Sequence, residues 1–155
     1  MLSSFPEPFT LVMIEDDEGH ATLITKNLKR SGIGNRLVHL NDGAKALEYF
    51  FGDTNSKHSH EKTLVLLDLN LPEIDGYEIL SRLKGDARTR MIPVIVLTTT
   101  DNPREVDRCY ALGCNVYITK PVEYDNFTDA IQKLGLMLAV VKIPDVLDRV
   151  TDLAL

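Results

Sequence analysis

The chain has no tryptophan, only two cysteines, and few aromatic residues. Cys109 and Cys114 are too few for a disulfide scaffold, and their C-x4-C spacing matches no common zinc or redox motif. We therefore expect both thiols to be reduced. Without a disulfide framework or a structural metal, the fold must be held by its hydrophobic core.

The sequence also lacks a long apolar run and an excess of positive charge. No apolar stretch approaches the roughly 18 residues of a membrane span, and the opening residues, MLSSFPEPF, do not have the pattern of a secretory signal. The net charge of −6 argues against binding nucleic acid or anionic lipid through bulk charge. With 155 residues and 44% hydrophobic content, we expect one cytoplasmic domain with one core.

Short apolar runs alternate with segments of helical period. Continuous runs rich in Val, Ile and Leu are typical of strands covered on both faces of a parallel sheet. The predicted strands cover residues 9–14, 36–40, 63–69, 94–97 and 116–119. Three helical stripes are Ala44, Leu47, Phe50 and Phe51; Gly76, Ile79, Leu80 and Leu83; and Val106, Cys109 and Tyr110. The alternation predicts an α/β fold with a doubly wound parallel sheet.

The end of the chain departs from this pattern. After the core positions Phe127, Ile131 and Leu134, residues 134–143 are apolar on nearly every face, and such a helix needs cover on all sides. Pro144 then interrupts the helix, so residues 144–155 are predicted to form a short C-terminal helical extension. Two kinds of cover stay open: the domain's own surface and a symmetric homodimer.

Polar side chains follow the predicted strands at the edge where open parallel sheets bind ligands. They are Glu15, Asp16 and Asp17 after the first strand, Asp68 and Asn70 at the third, Thr98, Thr99 and Thr100 after the fourth, and Lys120 and Pro121 after the fifth. Each alone has an ordinary structural explanation, such as a helix cap or a turn. Together they predict one crevice that holds the carboxylates of Asp16, Asp17 and Asp68, the hydroxyl of Thr98 and the ammonium of Lys120.

These groups suit phosphoryl transfer onto a carboxylate. Asp16, Asp17 and Asp68 repel one another unless a cation intervenes, and Mg2+ prefers oxygen ligands of this kind. Asp68 would then act as the nucleophile. Lys120 would hold a phosphoryl oxygen as a point charge, and the Thr98 hydroxyl would donate a hydrogen bond to the transferred group.

Residues 9–135 resemble the receiver domain of two-component response regulators. The resemblance rests on VMIEDDE, LLDLNLPEIDGYEIL, IPVIVLTTT and VYITKPV, in this order. It implies a flavodoxin-like five-stranded parallel sheet in the order 2-1-3-4-5 with helices on both faces. The receiver domain would cover residues 1–143, followed by the extension over residues 144–155, without an effector domain.

The resemblance also implies roles for single residues at the phosphorylation site. Asp68 matches the phosphoacceptor, and Asp16 and Asp17 match the acidic pair that holds Mg2+. Asn70 matches the position whose backbone carbonyl completes the protein ligands of the ion. Lys120 matches the lysine that the family carries at this place.

Two further positions match the conformational switch of the family. Thr98 matches the switch hydroxyl, and Tyr117 matches the aromatic residue that changes rotamer with it. Pro121 stands where the family often has a cis peptide bond. The resemblance therefore implies a signalling protein that catalyses only its own phosphorylation and dephosphorylation, rather than an enzyme that turns over a substrate.

The implied partner is a sensor histidine kinase that donates the phosphoryl group. Residues 83–127, with the polar loop before the third strand, are similar to single-domain regulators that partner bacterial and cyanobacterial phytochromes. This likeness implies a light-sensing kinase and a homodimer through the fourth helix, fifth strand and fifth helix. The short segment after the fifth helix argues against DNA binding in cis.

Specific residues argue for or against other functions. A phosphorelay shuttle to a histidine phosphotransfer protein stays open. An aspartyl-phosphate phosphohydrolase usually has an acid where Asn70 stands, and a flavin or nucleotide module needs a glycine-rich cradle where this chain has EDDEGH.

His58 and His60 are expected in a solvated loop, and His20 is expected as a surface or capping residue near the acidic mouth.

Overall fold

The structure, a computed structural model, describes residues 9–30, 36–52, 62–120 and 125. Within these ranges, five strands and four helices alternate along the chain. The strands are Thr10–Ile14 (β1), Arg36–Leu40 (β2), Thr63–Leu67 (β3), Val94–Thr98 (β4) and Val116–Thr119 (β5). The helices are Glu18–Arg30 (α1), Gly43–Phe51 (α2), Gly76–Gly85 (α3) and Pro103–Ala111 (α4).

All five strands are parallel and form one sheet in the order β2-β1-β3-β4-β5. The predicted doubly wound topology is therefore confirmed, as is the strand order that the resemblance implies. Ile14 of β1 lies opposite Leu67 of β3, and Thr98 of β4 lies opposite Thr119 of β5. Because all five strands are parallel, the residues that follow their carboxyl ends gather at one edge of the sheet.

Among the described residues, the core consists of two clusters, one on each face of the sheet. Alternate residues of the central strands point to opposite faces. Val12 and Val65 pack with residues of α2, α3 and α4, whereas Leu11 and Leu64 pack with residues of α1. Every residue of β3 is buried, because helices cover both faces, and its sequence is accordingly a continuous apolar run.

Side-chain caps define where the later helices begin. Asp42 caps α2 and Asp75 caps α3, each accepting a hydrogen bond from the backbone N–H three residues later, at 2.7 and 3.0 Å. Asn102 caps α4, and Pro103 is the first residue of that helix, where a missing N–H costs nothing. Each of these helices therefore begins at a capped residue in the segment that follows the carboxyl end of a strand.

Gly76 lets α3 begin against the end of β3. A Cβ atom at this position would lie 2.5 Å from the carbonyl oxygen of Asp68 and 2.6 Å from the Cα atom of Leu69. Both distances are shorter than van der Waals contact, so a side chain would push the helix away from the strand. The glycine therefore sets the distance between α3 and the segment that carries Asp68.

Two of the three predicted helical stripes are wrong in part. The α3 stripe is confirmed, since all four of its residues are buried. In α2, Ala44 is exposed, because Gly43, Ala46 and Phe50 share the buried face. In α4, Cys109 is buried but Tyr110 is 49% exposed.

The predicted fifth helix with residues 134–143 and the extension over residues 144–155 lie outside the described residues. The same holds for Pro121 with its cis peptide bond and for the loop that carries His58 and His60. Among the residues that are described, no helix has both the length and the apolar character needed to cross a membrane.

Candidate functional site

Three carboxyl groups come together where β1 and β3 end. Glu15 and Asp16 directly follow β1, and Asp68 directly follows β3. One oxygen atom from each of these side chains lies within 4.8 Å of the others. The backbone N–H of Asp68 donates to the carbonyl oxygen of Ile14 at 3.0 Å, which joins the two strand ends. Carboxylate oxygens at this spacing fit a hard divalent cation such as Mg2+.

Lys120 reaches into the same crevice, although the residue is only 2% exposed. Its Nζ donates to Oε1 of Glu15 and lies 3.3 Å from Oδ2 of Asp68 and 3.1 Å from Nδ1 of His20. Its backbone N–H donates to the carbonyl oxygen of Thr98 at 2.6 Å. One ammonium group carries three N–H bonds, so these three acceptors can satisfy all of them.

Glu15 and Asp68 share this buried site but differ in proton affinity. Burial raises the pKa of Glu15 to about 7, and its hydrogen bond with Asp68 adds to the effect while Lys120 opposes it. The pKa of Asp68 is instead lowered from its usual value. Burial acts to raise it, but burial is outweighed by the hydrogen bond with Glu15, the charge of Lys120 and the backbone N–H of Asn70. Asp68 is therefore the carboxyl group that stays ionised near neutral pH.

Asn70 lies between Asp68 and the end of β4. Its backbone N–H donates to Oδ1 of Asp68 at 3.1 Å, and its Nδ2 lies 3.4 Å from the hydroxyl oxygen of Thr98. Thr98 is the last residue of β4 and is buried. The structure thus brings the predicted residues Asp68, Asn70, Thr98 and Lys120 to one place.

Tyr117 ties β5 to the segment that follows Thr98. Its hydroxyl donates to the carbonyl oxygen of Thr100 at 2.5 Å, and its backbone N–H donates to the hydroxyl oxygen of Tyr110 at 3.2 Å. Burial raises the pKa of Tyr117 to about 12, so the phenol stays a hydrogen-bond donor at neutral pH. Tyr117, a predicted switch residue, is therefore hydrogen-bonded to the segment that follows Thr98, the other predicted switch residue.

Asp17 is not part of the group of three carboxyl groups. Its Oδ1 accepts a hydrogen bond from the backbone N–H of His20 at 2.9 Å, and this bond is the main reason why the pKa of Asp17 is lowered. Because β1 ends at Ile14, Glu15 faces Asp68 and Asp17 already belongs to the turn that starts α1. The carboxyl pair that faces Asp68 is therefore Glu15 and Asp16, in place of the predicted pair of Asp16 and Asp17.

Two histidines contribute contacts that sequence reasoning did not assign to the site. Nδ1 of His20 contacts Lys120, so this residue is more than a surface or capping residue. Nε2 of His39, near the end of β2, lies 2.8 Å from the carbonyl oxygen of Glu15 and donates to it. The position of His20 in the first turn after β1 is the signal that could have identified it, because that turn borders the crevice.

The sequence matches the family described as response regulator receiver domain over residues 11–132. This match covers most of the chain, and the fold and the polar crevice agree with it. The chain therefore belongs to the response regulator receiver domain family.

Relatives with solved structures support the same assignment. A receiver domain from Rhodospirillum rubrum is 53% identical, with a TM-score of 0.84 over 88% of this chain and 97% of its own. Response regulator Rcp1 from Synechocystis is 33% identical over 88% of this chain and 94% of its own length. The structure of its Mn(2+)-bound form gives a TM-score of 0.77 over 88% of this chain and 99% of that one.

A further similar structure is that of the phosphorylated cyanobacterial phytochrome response regulator RcpA. It is 30% identical, with a TM-score of 0.80 over 89% of this chain and 99% of its own. The chain is thus a receiver domain protein related to phytochrome response regulators. Both the predicted family and the predicted fold are confirmed.

Proposed function

We propose that this response regulator accepts a phosphoryl group on Asp68 from the phosphohistidine of a sensor kinase in the cytoplasm. The observation that carries the proposal is the position of Asp68, an ionised carboxylate directly after the central strand, with Nζ of Lys120 at 3.3 Å. In the transfer, an Oδ atom of Asp68 forms a bond to phosphorus, and the bond between phosphorus and the histidine nitrogen of the donor breaks. Lys120 binds a phosphoryl oxygen and offsets its charge.

The donor set of the crevice fits Mg2+. We propose that Asp16 and Asp68, with the backbone carbonyl of Asn70, hold the ion, and that Glu15 supports them from its bond with Lys120. When bound, the ion neutralises charge on the phosphoryl oxygens. The support for this site is the group of carboxyl oxygens within 4.8 Å and the Mn(2+)-bound form of the relative Rcp1.

Phosphorylation is proposed to act through Thr98 and Tyr117. The phosphoryl group adds about 1.5 to 2 negative charges and three strong acceptors at Asp68. The Thr98 hydroxyl would turn to donate to one of these oxygens, and Tyr117 would give up Thr100 and turn inward. The phosphoryl group shifts the equilibrium only as far as it binds one arrangement better than the other.

The proposed donor is a phytochrome-type kinase. Its support is the likeness to Rcp1 and to RcpA, whose structure is that of a phytochrome response regulator. The experiment that tests it is transfer from candidate histidine kinases of the source organism, in darkness and under red or far-red light. Labelling that depends on illumination would support the partner, whereas preferred labelling by a kinase without a chromophore would contradict it.

The α4 and β5 surface is proposed as the contact of a homodimer. Tyr110, an exposed aromatic side chain on α4, lies on this surface. The predicted fifth helix and residues 144–155 would extend the contact. Sedimentation analysis tests the proposal, because a protein that stays monomeric at high micromolar concentration, with and without acetyl phosphate, would exclude it.

The test of the phosphoacceptor is labelling of the Asp68→Asn variant by phosphorylated kinase or by acetyl phosphate with Mg2+. We expect no labelling, because an amide cannot replace the nucleophilic carboxylate. Asp17→Asn is the matched control and should still be labelled, since Asp17 caps α1. Labelling of Asp68→Asn to the normal extent would exclude Asp68, and release of phosphate from a small ester over many turnovers would indicate a phosphohydrolase.

A further inference from the structure

Lys120 has a third hydrogen-bond partner that is not a carboxyl group. Its Nζ lies 3.1 Å from Nδ1 of His20, on α1, in addition to its contacts with Glu15 and Asp68. We propose that His20 is a positioning residue that holds the Lys120 ammonium through Nδ1 and keeps it directed at Asp68 for phosphoryl transfer. This inference rests on the proposed function of Asp68.

The geometry defines the state of the His20 ring. A lysine ammonium can only donate hydrogen bonds, so Nδ1 of His20 must accept, and the ring proton must be on Nε2. The imidazole in this state is neutral. The neutral imidazole therefore accepts one N–H of the buried Lys120 ammonium without neutralising its positive charge. That charge stays available to a negatively charged phosphoryl group.

The three contacts of Lys120 differ in how easily they can be exchanged. The distance to Oδ2 of Asp68, 3.3 Å, is the longest of the three. A phosphoryl group on Asp68 would bring oxygens to this side, and Lys120 could exchange the Asp68 contact for one of them. Glu15 and His20 would hold the ammonium during this exchange, from β1 and from α1 respectively.

The first turn of α1 is built to present His20 to the crevice. Oδ1 of Asp17 accepts the backbone N–H of His20 at 2.9 Å and so orders this turn. Ile24, one helical turn after His20, is buried against the sheet, and Ala21 beside it is buried too. Because Ile24 and His20 lie on the same side of the helix, packing of Ile24 directs His20 towards the sheet edge.

Four variants distinguish the effect of the acceptor atom of His20 from the effect of its side-chain volume. His20→Asn keeps an acceptor oxygen one bond from Cγ, where Nδ1 stands. His20→Gln moves the oxygen one bond farther out, and His20→Leu removes the acceptor. Thr22→Ala, on an exposed position of the same helix, is the matched control.

The first measurement is the rate of Asp68 phosphorylation by acetyl phosphate with Mg2+, followed by intact-protein mass spectrometry. We expect the rate to fall about tenfold in His20→Leu and His20→Gln, because a misplaced charge loses part of its effect on the transferred group. His20→Asn and Thr22→Ala should stay within about threefold of the unchanged protein. Rescue by Asn but not by Gln is a result that a purely structural role would not produce.

The second measurement does not depend on phosphorylation. Nitrogen-15 NMR of the unchanged protein should show His20 with an unprotonated Nδ1 and a slowly exchanging Lys120 ammonium signal. The ammonium signal should be lost in His20→Leu and retained in His20→Asn. A protonated Nδ1 in the unchanged protein would overturn the inference.

The two measurements distinguish failure of the inference from failure of the proposed function. If the unchanged protein is not phosphorylated on Asp68, the proposed function fails, while the NMR signals still test the contact. If it is phosphorylated and His20→Leu reacts equally fast, or His20→Asn is as slow as His20→Leu, the inference is overturned. If His20→Leu does not fold, equal rates in His20→Asn and His20→Gln overturn it.

Discussion

At each end of the sheet, one lysine side chain makes three hydrogen-bond contacts, and the two lysines differ in the groups that accept these hydrogen bonds. At the carboxyl end, Lys120 contacts two carboxyl groups and a histidine. At the amino end, Lys84 donates to three neutral oxygens. The partners of Lys120 suit the proposed phosphoryl transfer, whereas the partners of Lys84 suit a structural role.

Lys84 joins three segments at the amino end. Its Nζ donates to the carbonyl oxygens of Arg90 and Ile92 at 3.2 and 2.7 Å, and to Oδ1 of Asn115 at 3.1 Å. Oδ1 of Asn115 also accepts the backbone N–H of Val94 at 2.8 Å. The end of α3 is thereby connected to the beginnings of β4 and β5.

The difference lies in what the acceptors can do after folding. Backbone carbonyls are fixed by the chain, so Lys84 has no reason to change partner. Carboxyl groups can gain or lose protons, cations or a phosphoryl group, and each such change alters the partners of Lys120. A buried pair of this kind adds little to stability once desolvation is counted, which suits a site kept for reaction.

The largest expected effect follows from Lys120→Met. Removing the ammonium should slow phosphorylation of Asp68 by acetyl phosphate about 100- to 1000-fold, as loss of one charge-stabilising group commonly does. Lys84→Met is the matched control and should keep the rate within about twofold, because Lys84 lies at the other end of the sheet. An equal loss of rate in both variants would remove the functional difference between the two lysines.

The thiol of Cys109, on the C-terminal turn of α4, should be nearly inert. Burial raises the pKa of Cys109 to about 11, so about one thiol in a thousand is ionised at pH 8. Alkylation by iodoacetamide should be about 100-fold slower than for a cysteine in an unfolded peptide, and the rate should rise as the pH approaches 11. Rapid alkylation of the folded protein at pH 8 would show that this region opens or carries an activating charge.

The two glycines at the ends of α3 should respond differently to a methyl group. Gly76→Ala places a Cβ atom 2.5 Å from the carbonyl oxygen of Asp68 and should lower the free energy of unfolding by about 2 kcal/mol. Phosphorylation should also slow, because the segment that carries Asp68 must move. Gly85→Ala, where nothing lies within 4 Å, should change stability by less than about 1 kcal/mol. Urea unfolding measures both variants, and similar losses would contradict the packing argument.

A smaller loss of stability than that of Gly76→Ala is expected for Lys84→Met. Loss of three hydrogen bonds to neutral oxygens should lower the free energy of unfolding by about 1.5 kcal/mol. The loss is modest because water forms hydrogen bonds with the oxygens that Lys84 leaves. Burial lowers the pKa of Lys84, so the unfolded chain binds this proton more tightly than the folded chain. The unchanged protein should therefore gain stability relative to the variant as the pH rises towards 10.5. Urea unfolding between pH 7 and the alkaline limit checks the sign, and a stability difference that shrinks with pH would contradict it.

The sequence predicts the sheet well because burial on both faces leaves a direct mark on composition. The run from Thr63 to Leu67 is apolar throughout, and every residue in it is buried. Asp68 and Lys120 could be placed in one crevice because parallel strands end at a common edge. The buried face of a short helix is harder to predict, because a shift of two residues in phase exchanges Ala44 for Ala46.

The finer parts of the site depend on distances that no pattern contains. Three acidic residues follow β1, and only the exact end of the strand decides that Glu15 and Asp16 face Asp68 while Asp17 caps α1. The contact between His20 and Lys120 joins residues that are 100 positions apart in the chain, so local periodicity carries no trace of it. The bond between Tyr117 and Thr100 likewise joins separate segments, β5 and the segment after β4, which local periodicity does not connect.

The hydroxyl of Tyr110 has a consequence for how copies of this chain can associate. β5 is an edge strand, and an unpaired backbone N–H on such a strand invites a second strand to extend the sheet. Here the outward N–H of Tyr117 is already bonded to Tyr110. A neighbouring molecule therefore cannot add to the sheet at this point without breaking that bond, so the Tyr110 side chain protects this part of the edge against extension of the sheet.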